Sequence, residues 1–451
     1  MIQIKARHFG GRNDCSEKRI NVNATHFWDA FHEIDAYLNS DQLPVVELRP
    51  KARQHSEALL GDYDYLIDSR IFEVILRKLC EVSVKYNISI LATHEKKHKK
   101  RVFLFGPNGE VVLFEFWGRA EVVMQDNFTN KQMRTGYSYH AYKKASEKIG
   151  KTAVLALIYV CHLHTKNKEF GVQVHNRLSY FIEKLTVGAD EQGDYSGAIA
   201  CLLAKLQRKQ LSVKNANDSA IELLSSVGCK TNPMLPTFVF EKMINKIKNQ
   251  KAKPKSKITP IVGPDGCGKT TFISKLAERN LLLGCVILRF KSLFRESRAY
   301  NLFRRIFGQR GLEKNKFDEN HASLVAAISL IGYFRLARKA KCVVMDRWFL
   351  EFMVKGYRTN LHMPSHRRII WYKLCTIFIP KPHSVIILTT DFATLVHRKD
   401  ELSLESVEYF YNSYVEYVCS RKIKNCFFLS STCENQEMVD VYQMMQERAG
   451  S

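Results

Sequence analysis

The chain has 451 residues, 45% of them hydrophobic and 25% charged; that excludes a disordered, collagen-like or low-complexity protein. At roughly 150 residues per domain it leaves room for two or three domains. Its 69 Lys+Arg against 45 Asp+Glu leave a formal charge of +24, which suits a phosphate-rich partner: a nucleotide, nucleic acid or anionic lipid headgroup.

No apolar run approaches the ~18–20 residues of a membrane span. Met1–Arg12 has no apolar core of a leader peptide. Twelve scattered cysteines without a Cys-x-x-Cys pair argue against a zinc ribbon or a disulfide scaffold and fit the reduced thiols of a cytoplasmic protein.

In chain order, the first part, residues 1–142, reads as an α/β unit. Leu43–Leu48 and Tyr63–Ile67 are predicted strands. Ile71–Tyr86 has apolar residues at helical spacing: Ile71, Val74, Ile75, Leu79 and Val82. Ile88–Ala92, Val102–Phe105 and Val111–Trp117 are predicted strands, the last two joined by the turn Gly106-Pro107-Asn108-Gly109.

Gly61-Asp62-Tyr63-Asp64 sets two carboxylates two residues apart at a strand start, hence on one face. With Glu115 from a later strand they form a candidate oxygen site for Mg²⁺. The bland alternative is a turn with exposed aspartates. The basic run His94–Arg101 is expected to be a strand-connecting loop, and His162 and His164 to be structural.

Residues 143–249 carry long apolar-periodic stretches (Ala153–Leu163, Arg177–Leu185, Ala198–Leu211, Ala220–Val227) and are predicted helical. Lys242–Lys257 holds seven lysines around Pro254, and residues 250–257 are taken as a linker. A solvated linker is the simpler reading than a nucleic-acid patch, because few aromatics are interleaved for base stacking.

Residues 258–451 alternate. Strands are predicted at Ile258–Val262, Cys285–Phe290, Cys342–Met345, Ser384–Leu388 and Cys426–Leu429, with helices between them, which implies a parallel sheet covered on both faces.

Gly263-Pro264-Asp265-Gly266-Cys267-Gly268-Lys269-Thr270-Thr271 fits G-x-x-x-x-G-K-[ST] between a strand and the helix predicted at Thr270–Leu283. The glycines let backbone N–H groups turn toward phosphates, and the helix N-terminus adds positive potential. Lys269 would reach the β/γ-phosphates of ATP, and the Thr270 hydroxyl would reach Mg²⁺. Cys342–Met345 ends in Asp346-Arg347-Trp348: Asp346 is a candidate for Mg²⁺ or its water, and Arg347 for an acceptor phosphate, with a structural ion pair as the alternative. Val396-His397-Arg398-Lys399-Asp400-Glu401 is a candidate lid whose basic groups steady a transferring phosphoryl group.

These residues resemble the thymidylate kinase-like branch of the nucleoside monophosphate kinases, over about Ile258–Gln446. The likeness rests on GPDGCGKTT at Gly263–Thr271, VVMDRW at Val343–Trp348, and RKDELSLE at Arg398–Glu405 followed by Tyr409, Phe410, Tyr411 and Tyr414. It implies ATP and Mg²⁺ as cofactors and a phosphorylated or anionic small molecule as acceptor. It also implies that Asp265 faces the acceptor, that Arg347 and Arg358 bind its phosphate, and that Arg398 aids transfer. Arg289-Phe290-Lys291-Ser292 stands where the thymidylate enzymes carry Arg-Glu-Pro-Gly, and their base-binding helix is not recognisable in Ser323–Lys341. Phosphoryl transfer is therefore the expectation, without thymidylate as the named acceptor.

About Leu43–Leu185 resembles the nucleotidyltransferase superfamily, through the Gly-Asp-x-Asp pattern, the helix after it and the later carboxylate Glu115. The opposing expectation for the whole chain is a nucleic-acid-binding or regulatory NTPase, in which ATP hydrolysis drives a switch.

Overall fold

The computed structural model describes residues 22–40, 42–48, 62–96, 99–106, 110–125, 132–166, 170–187, 195–229, 232–233, 257–278, 285–289, 342–348, 350, 381–398 and 402–430. It is an α/β structure. Thirteen described strands form a ten-stranded and a three-stranded sheet.

The N-terminal unit begins with helix α1 (Val22–Leu38) and strands β1 (Val45–Glu47) and β2 (Asp62–Ile67). A short 3-10 turn, capped by the Asp68 carboxylate on the Arg70 N–H, leads into α2 (Phe72–Tyr86). Strands β3 (Ser89–Lys96), β4 (Lys99–Phe105) and β5 (Val111–Trp117) follow. The basic run read as a loop is mostly strand: His94 pairs with Lys100 directly across β3 and β4. β6 (Ala120–Gln125) and β7 (Gln132–Tyr137) pair antiparallel, and the short β8 (Asn232–Pro233) joins β7.

Five helices follow: α3 (Tyr139–Ile149), α4 (Lys151–Lys166), α5 (Val172–Val187), α6 (Tyr195–Gln207) and α7 (Val213–Ser226). α4 is buried along Ala153–Cys161, as expected for a helix that neighbours enclose. Ser138 and Ser212 cap α3 and α7 by accepting from the N–H groups of Ala141 and Asn215, a contact worth about 1 kcal/mol each.

The last unit holds β9 (Lys257–Val262), α8 (Lys269–Glu278), β10 (Cys285–Arg289), β11 (Cys342–Asp346), β12 (Ser384–Thr389), α9 (Phe392–Arg398), α10 (Leu404–Ser420) and β13 (Asn425–Ser430). Its five strands run parallel in the order β10-β11-β9-β12-β13. Residues buried on both faces explain why β12 and β13 read as continuous apolar runs rather than alternating ones.

β13 then pairs antiparallel with β3, Cys426 opposite Ala92 and Phe427 opposite Leu91, so the sheet continues as β3-β4-β5-β2-β1. The first and last units thus share one sheet and one apolar core, which runs from Phe27 and Phe31 on α1 to Phe427 and Phe428 on β13. α2 bridges the seam. Its Ser83 hydroxyl donates to the Ile88 carbonyl at 2.7 Å and lies 3.0 Å from the Thr389 hydroxyl. A second core, built from Leu66, Tyr137 and the inner faces of α3–α7, lies beside the N-terminal strands.

Candidate functional site

From β9 the chain passes through α8 to β10 and β11 on one side, then crosses to β12 and β13 on the other. The order reverses at β9. In an open parallel sheet a crevice forms beyond the carboxyl ends of the strands at such a point. Gly263–Gly268 occupies that place.

Gly266 and Gly268 have φ of 89° and 87°, in the left-handed region where a side chain strains the backbone. Gly263 is required for a different reason. A Cβ there would stand 2.5 Å from the Cys267 Sγ and 3.0 Å from the Leu388 carbonyl oxygen on β12.

Lys269 is buried at the start of α8, and its ammonium donates to the carbonyls of Gly263 (2.6 Å) and Pro264 (2.8 Å). An anionic oxygen in the loop would compete for that ammonium, because charge-assisted hydrogen bonds are roughly twice as strong as those to neutral acceptors. Thr270 and Thr271 are exposed on the first turn.

β11 delivers the next pair. Asp346 lies opposite Ile261 on β9 and Arg289 on β10, and is half-buried. Arg347 has φ of 76°, held by its N–H donating to the Ile261 carbonyl at 3.0 Å. That turn aims the guanidinium back at the loop, where it donates to Asp265 Oδ1 at 2.8 Å. Asp265 Oδ1 is also 4.0 Å from the Lys269 ammonium. Arg398, at the end of α9, donates to the Gly266 carbonyl at 3.1 Å. Lys269, Arg347 and Arg398 therefore converge on one loop. Arg358, Lys399, Asp400 and Glu401 lie outside the described residues.

Behind the loop, buried aromatic residues fix the geometry, Trp348 and Tyr411 from the motifs and Tyr417 from outside them. Trp348 is fully buried and its indole N–H donates to the Tyr417 hydroxyl at 3.0 Å. The Tyr411 hydroxyl donates to the Leu388 carbonyl and accepts from the Thr390 N–H. Tyr411 and Tyr417 are the signal in the sequence: on α10 they tie the ends of β11 and β12 to one helix. A run of aromatics marks burial without saying what the hydroxyls hold.

The N-terminal carboxylates come out differently. β2 and β5 are parallel neighbours, with Asp64 directly opposite Glu115 and Asp62 opposite Leu113. Asp64 is buried and accepts from the Trp117 indole N–H at 3.0 Å. Glu115 is buried between two cations, at 2.7 Å from Lys99 Nζ and 2.7 Å from Arg101 Nε. Burial raises the Glu115 pKa, but the Lys99 hydrogen bond and the Lys99 and Arg101 charges outweigh it and leave the carboxyl below its ordinary value. Its two oxygens are engaged by protein cations.

Lys99 also stands 4.1 Å from the Trp117 ring centre. A cavity of about 30 Å³, enough for a water or two, lies between this face and α4, lined by Asp64, Trp117, Ile158, His162 and Lys166 among others. Lys99 and Arg101 were legible in principle: they alternate along a strand, as Glu115 and Trp117 do on its neighbour. Among the described residues no group of three or more Asp, Glu, His or Cys side chains converges to hold a metal.

Among the described residues no helix is long and apolar enough to cross a membrane. No protein-family model and no curated protein matches the chain. Among solved structures, it matches a thymidylate kinase from Candida albicans, described as having broad substrate specificity, at 14% identity over 44% of this chain and 94% of that one, with a TM-score of 0.33. So slight a likeness bears no weight beside the local geometry.

Proposed function

We propose that the chain is a P-loop phosphotransferase that moves the γ-phosphoryl group of ATP to a phosphorylated or anionic small molecule. The observation that carries this reading is the convergence of Lys269, Arg347 and Arg398 on the Gly263–Gly268 loop at the reversal point of the parallel strands.

Lys269 exchanges its carbonyl partners for phosphate oxygens, and the loop N–H groups and the α8 N-terminus cradle the triphosphate. Asp265 and Arg347 face the acceptor side. When the acceptor phosphate arrives, the Arg347 fork binds it bidentately and Asp265 is released. Arg398 steadies charge on the group in transit, and Arg358 is assigned to the acceptor with Arg347. Thr270 and Asp346 offer hard oxygen donors suited to Mg²⁺, which when bound neutralises charge between the β- and γ-phosphates.

An acceptor clamp distinguishes a kinase from a switch ATPase. Arg347→Ala is expected to leave ATP affinity within a few-fold and to lower transfer about 100-fold or more, by the magnitude usual for groups that stabilise transition-state charge. Loss of ATP binding with normal transfer per bound ATP would overturn the role given to Arg347.

The β2–β5 face is proposed as nucleotidyltransferase-like in layout without a working metal site. Asp64 and Glu115 lie side by side as that layout requires, yet Lys99 and Arg101 supply the positive charge that metal ions would bring. No catalytic step is assigned there. Asp64→Ala should leave Mg²⁺-dependent nucleotide binding by the full chain unchanged, whereas loss of that binding would restore the second active site.

A further inference from the structure

At the opposite end of the parallel strands from the phosphate loop, about 17–20 Å away for strands of this length, cations from both units meet at the seam. His94 and Lys100 face each other across β3 and β4. The His94 N–H donates to the Lys424 carbonyl at 2.8 Å, which fixes the hairpin to the start of β13. Lys381 precedes β12 as Lys422 precedes β13, and Ser384 pairs with Asn425 just beyond them.

Two of these groups are half-buried. Lys100 Nζ sits 3.8 Å from the centre of the Phe72 ring, and the same ring meets His94 edge-on at 5.3 Å. The His94 Nε2 is buried and has no hydrogen-bond partner among the described residues. Lys381 and Lys422 are exposed.

Among the described residues the charges are unbalanced: Lys100, Lys381 and Lys422 make no salt bridge. Glu73, on the adjoining first turn of α2, is engaged by Arg77 at 2.7 Å. Burial and the charges of Lys100, Lys381 and Lys422 push the His94 pKa down to about 4. Burial and Lys422 push Lys100 down to about 8, and Lys381 is lowered by burial with Arg421 and Lys422.

The α10 carboxyl end accounts for the favour shown to Arg421 and Lys422 but not for His94, Lys100 or Lys381, which come from other elements. Lys422 also holds φ of 49° in the turn that ends α10, a place where glycine or asparagine costs less. Cations kept together at this expense need an anion to offset them.

We propose that the seam cluster of His94, Lys100, Lys381 and Lys422 is a second anion site, separate from the phosphate loop, for a compact polyanion of the phosphate-ester or pyrophosphate type. Two half-buried groups, His94 and Lys100, beside two exposed lysines suit a small ligand better than an extended backbone. The His94 Nε2 supplies a directed hydrogen bond and the three lysines supply charge.

The test is calorimetric titration of the full chain with inorganic pyrophosphate. Lys269→Ala removes the phosphate-loop site and should leave one binding event. Adding Lys100→Met and Lys422→Asn should weaken that event at least tenfold. Methionine keeps the packing over Phe72, and asparagine suits the left-handed turn. Without ligand, the seam variant should melt no lower than its parent, because repulsion has been relieved. If it melts lower, Lys381→Gln, at an exposed position, should still weaken binding about threefold by loss of one screened charge.

Absence of pyrophosphate binding in Lys269→Ala, or unchanged affinity in the seam variants, would overturn the proposal. A single-stranded oligonucleotide that loses affinity in the seam variant while pyrophosphate does not would also overturn it, in favour of a nucleic-acid backbone.

Discussion

Gly263→Ala tests the phosphate loop through one methyl group. The new Cβ would stand 2.5 Å from Cys267 Sγ, 3.0 Å from the Leu388 oxygen and 3.3 Å from the Leu388 Cβ. Ordinary contacts lie at about 3.5–4.0 Å, so the sulfur must retreat by roughly 1 Å. Cys267 is fully buried and Leu388 belongs to a central strand, so neither yields freely.

Overpacking of this kind costs about 1–3 kcal/mol. At the ~2 °C per kcal/mol of larger domains, that is a fall in melting temperature of about 2–6 °C. The easier escape is for the loop to move, and a displacement near 1 Å at a reacting group can cost about 100-fold in rate. Turnover is therefore expected to fall more than stability. Cys267→Ala in the same chain removes the worst contact and leaves the Leu388 oxygen, so it should restore part of both. The assays are thermal melting and steady-state ATP turnover. A Gly263→Ala protein that melts within about 1 °C of wild type and turns over within about threefold would refute the close packing of loop and β12.

Further outcomes follow from the same geometry. Lys269→Ala should abolish turnover, and a variant within about tenfold of wild type would contradict the loop assignment. Arg347→Gly should relieve the left-handed backbone by about 1 kcal/mol while losing a partly buried ion pair to Asp265 worth about 1 kcal/mol. It should thus melt near wild type yet transfer poorly, which separates function from folding. Glu115→Gln should cost about 3–5 kcal/mol, because Lys99 and Arg101 are left beside an uncharged group. Since the folded Glu115 pKa is lowered, its stabilisation is complete above the ordinary value of 4.5 and is lost as pH falls through the folded value. Melting scanned downward from pH 5 should show a loss in wild type that is shallower in Glu115→Gln, and parallel curves would deny the ion pair its role.

Much of the last unit was legible because its signals are local. An apolar strand, a glycine-rich turn and Lys269 lie within a dozen residues, and Asp346-Arg347 directly follows a strand. α1 also had a signal: Phe27, Phe31, Ile34 and Leu38 repeat at helical spacing, and their burial confirms a face that was passed over. β6 and β7 were missed because polar residues such as Glu121, Gln132 and Arg134 interrupt any alternation.

The seam was out of reach. Nothing near Leu91 or Phe427 announces that strands more than 300 residues apart will pair, and antiparallel pairing leaves no local mark. It has a practical consequence: a fragment ending at residue 249 would expose the β3 edge that β13 covers, an aggregation hazard. The cationic partners of Glu115 were missed for a related reason. The run His94–Arg101 reads as loop charge until β3 and β4 are known to extend into it.

The central claim concerns the fate of one phosphoryl group. ATP labelled at the γ-phosphate should be incubated with the full chain, Mg²⁺ and a panel of nucleoside monophosphates and sugar phosphates, and the label followed by chromatography. The account predicts label in a phosphorylated acceptor, none with Lys269→Ala, and little with Arg347→Ala. Label appearing only as inorganic phosphate, at a rate indifferent to every acceptor and raised by nucleic acid, would contradict it and leave a switch ATPase in its place.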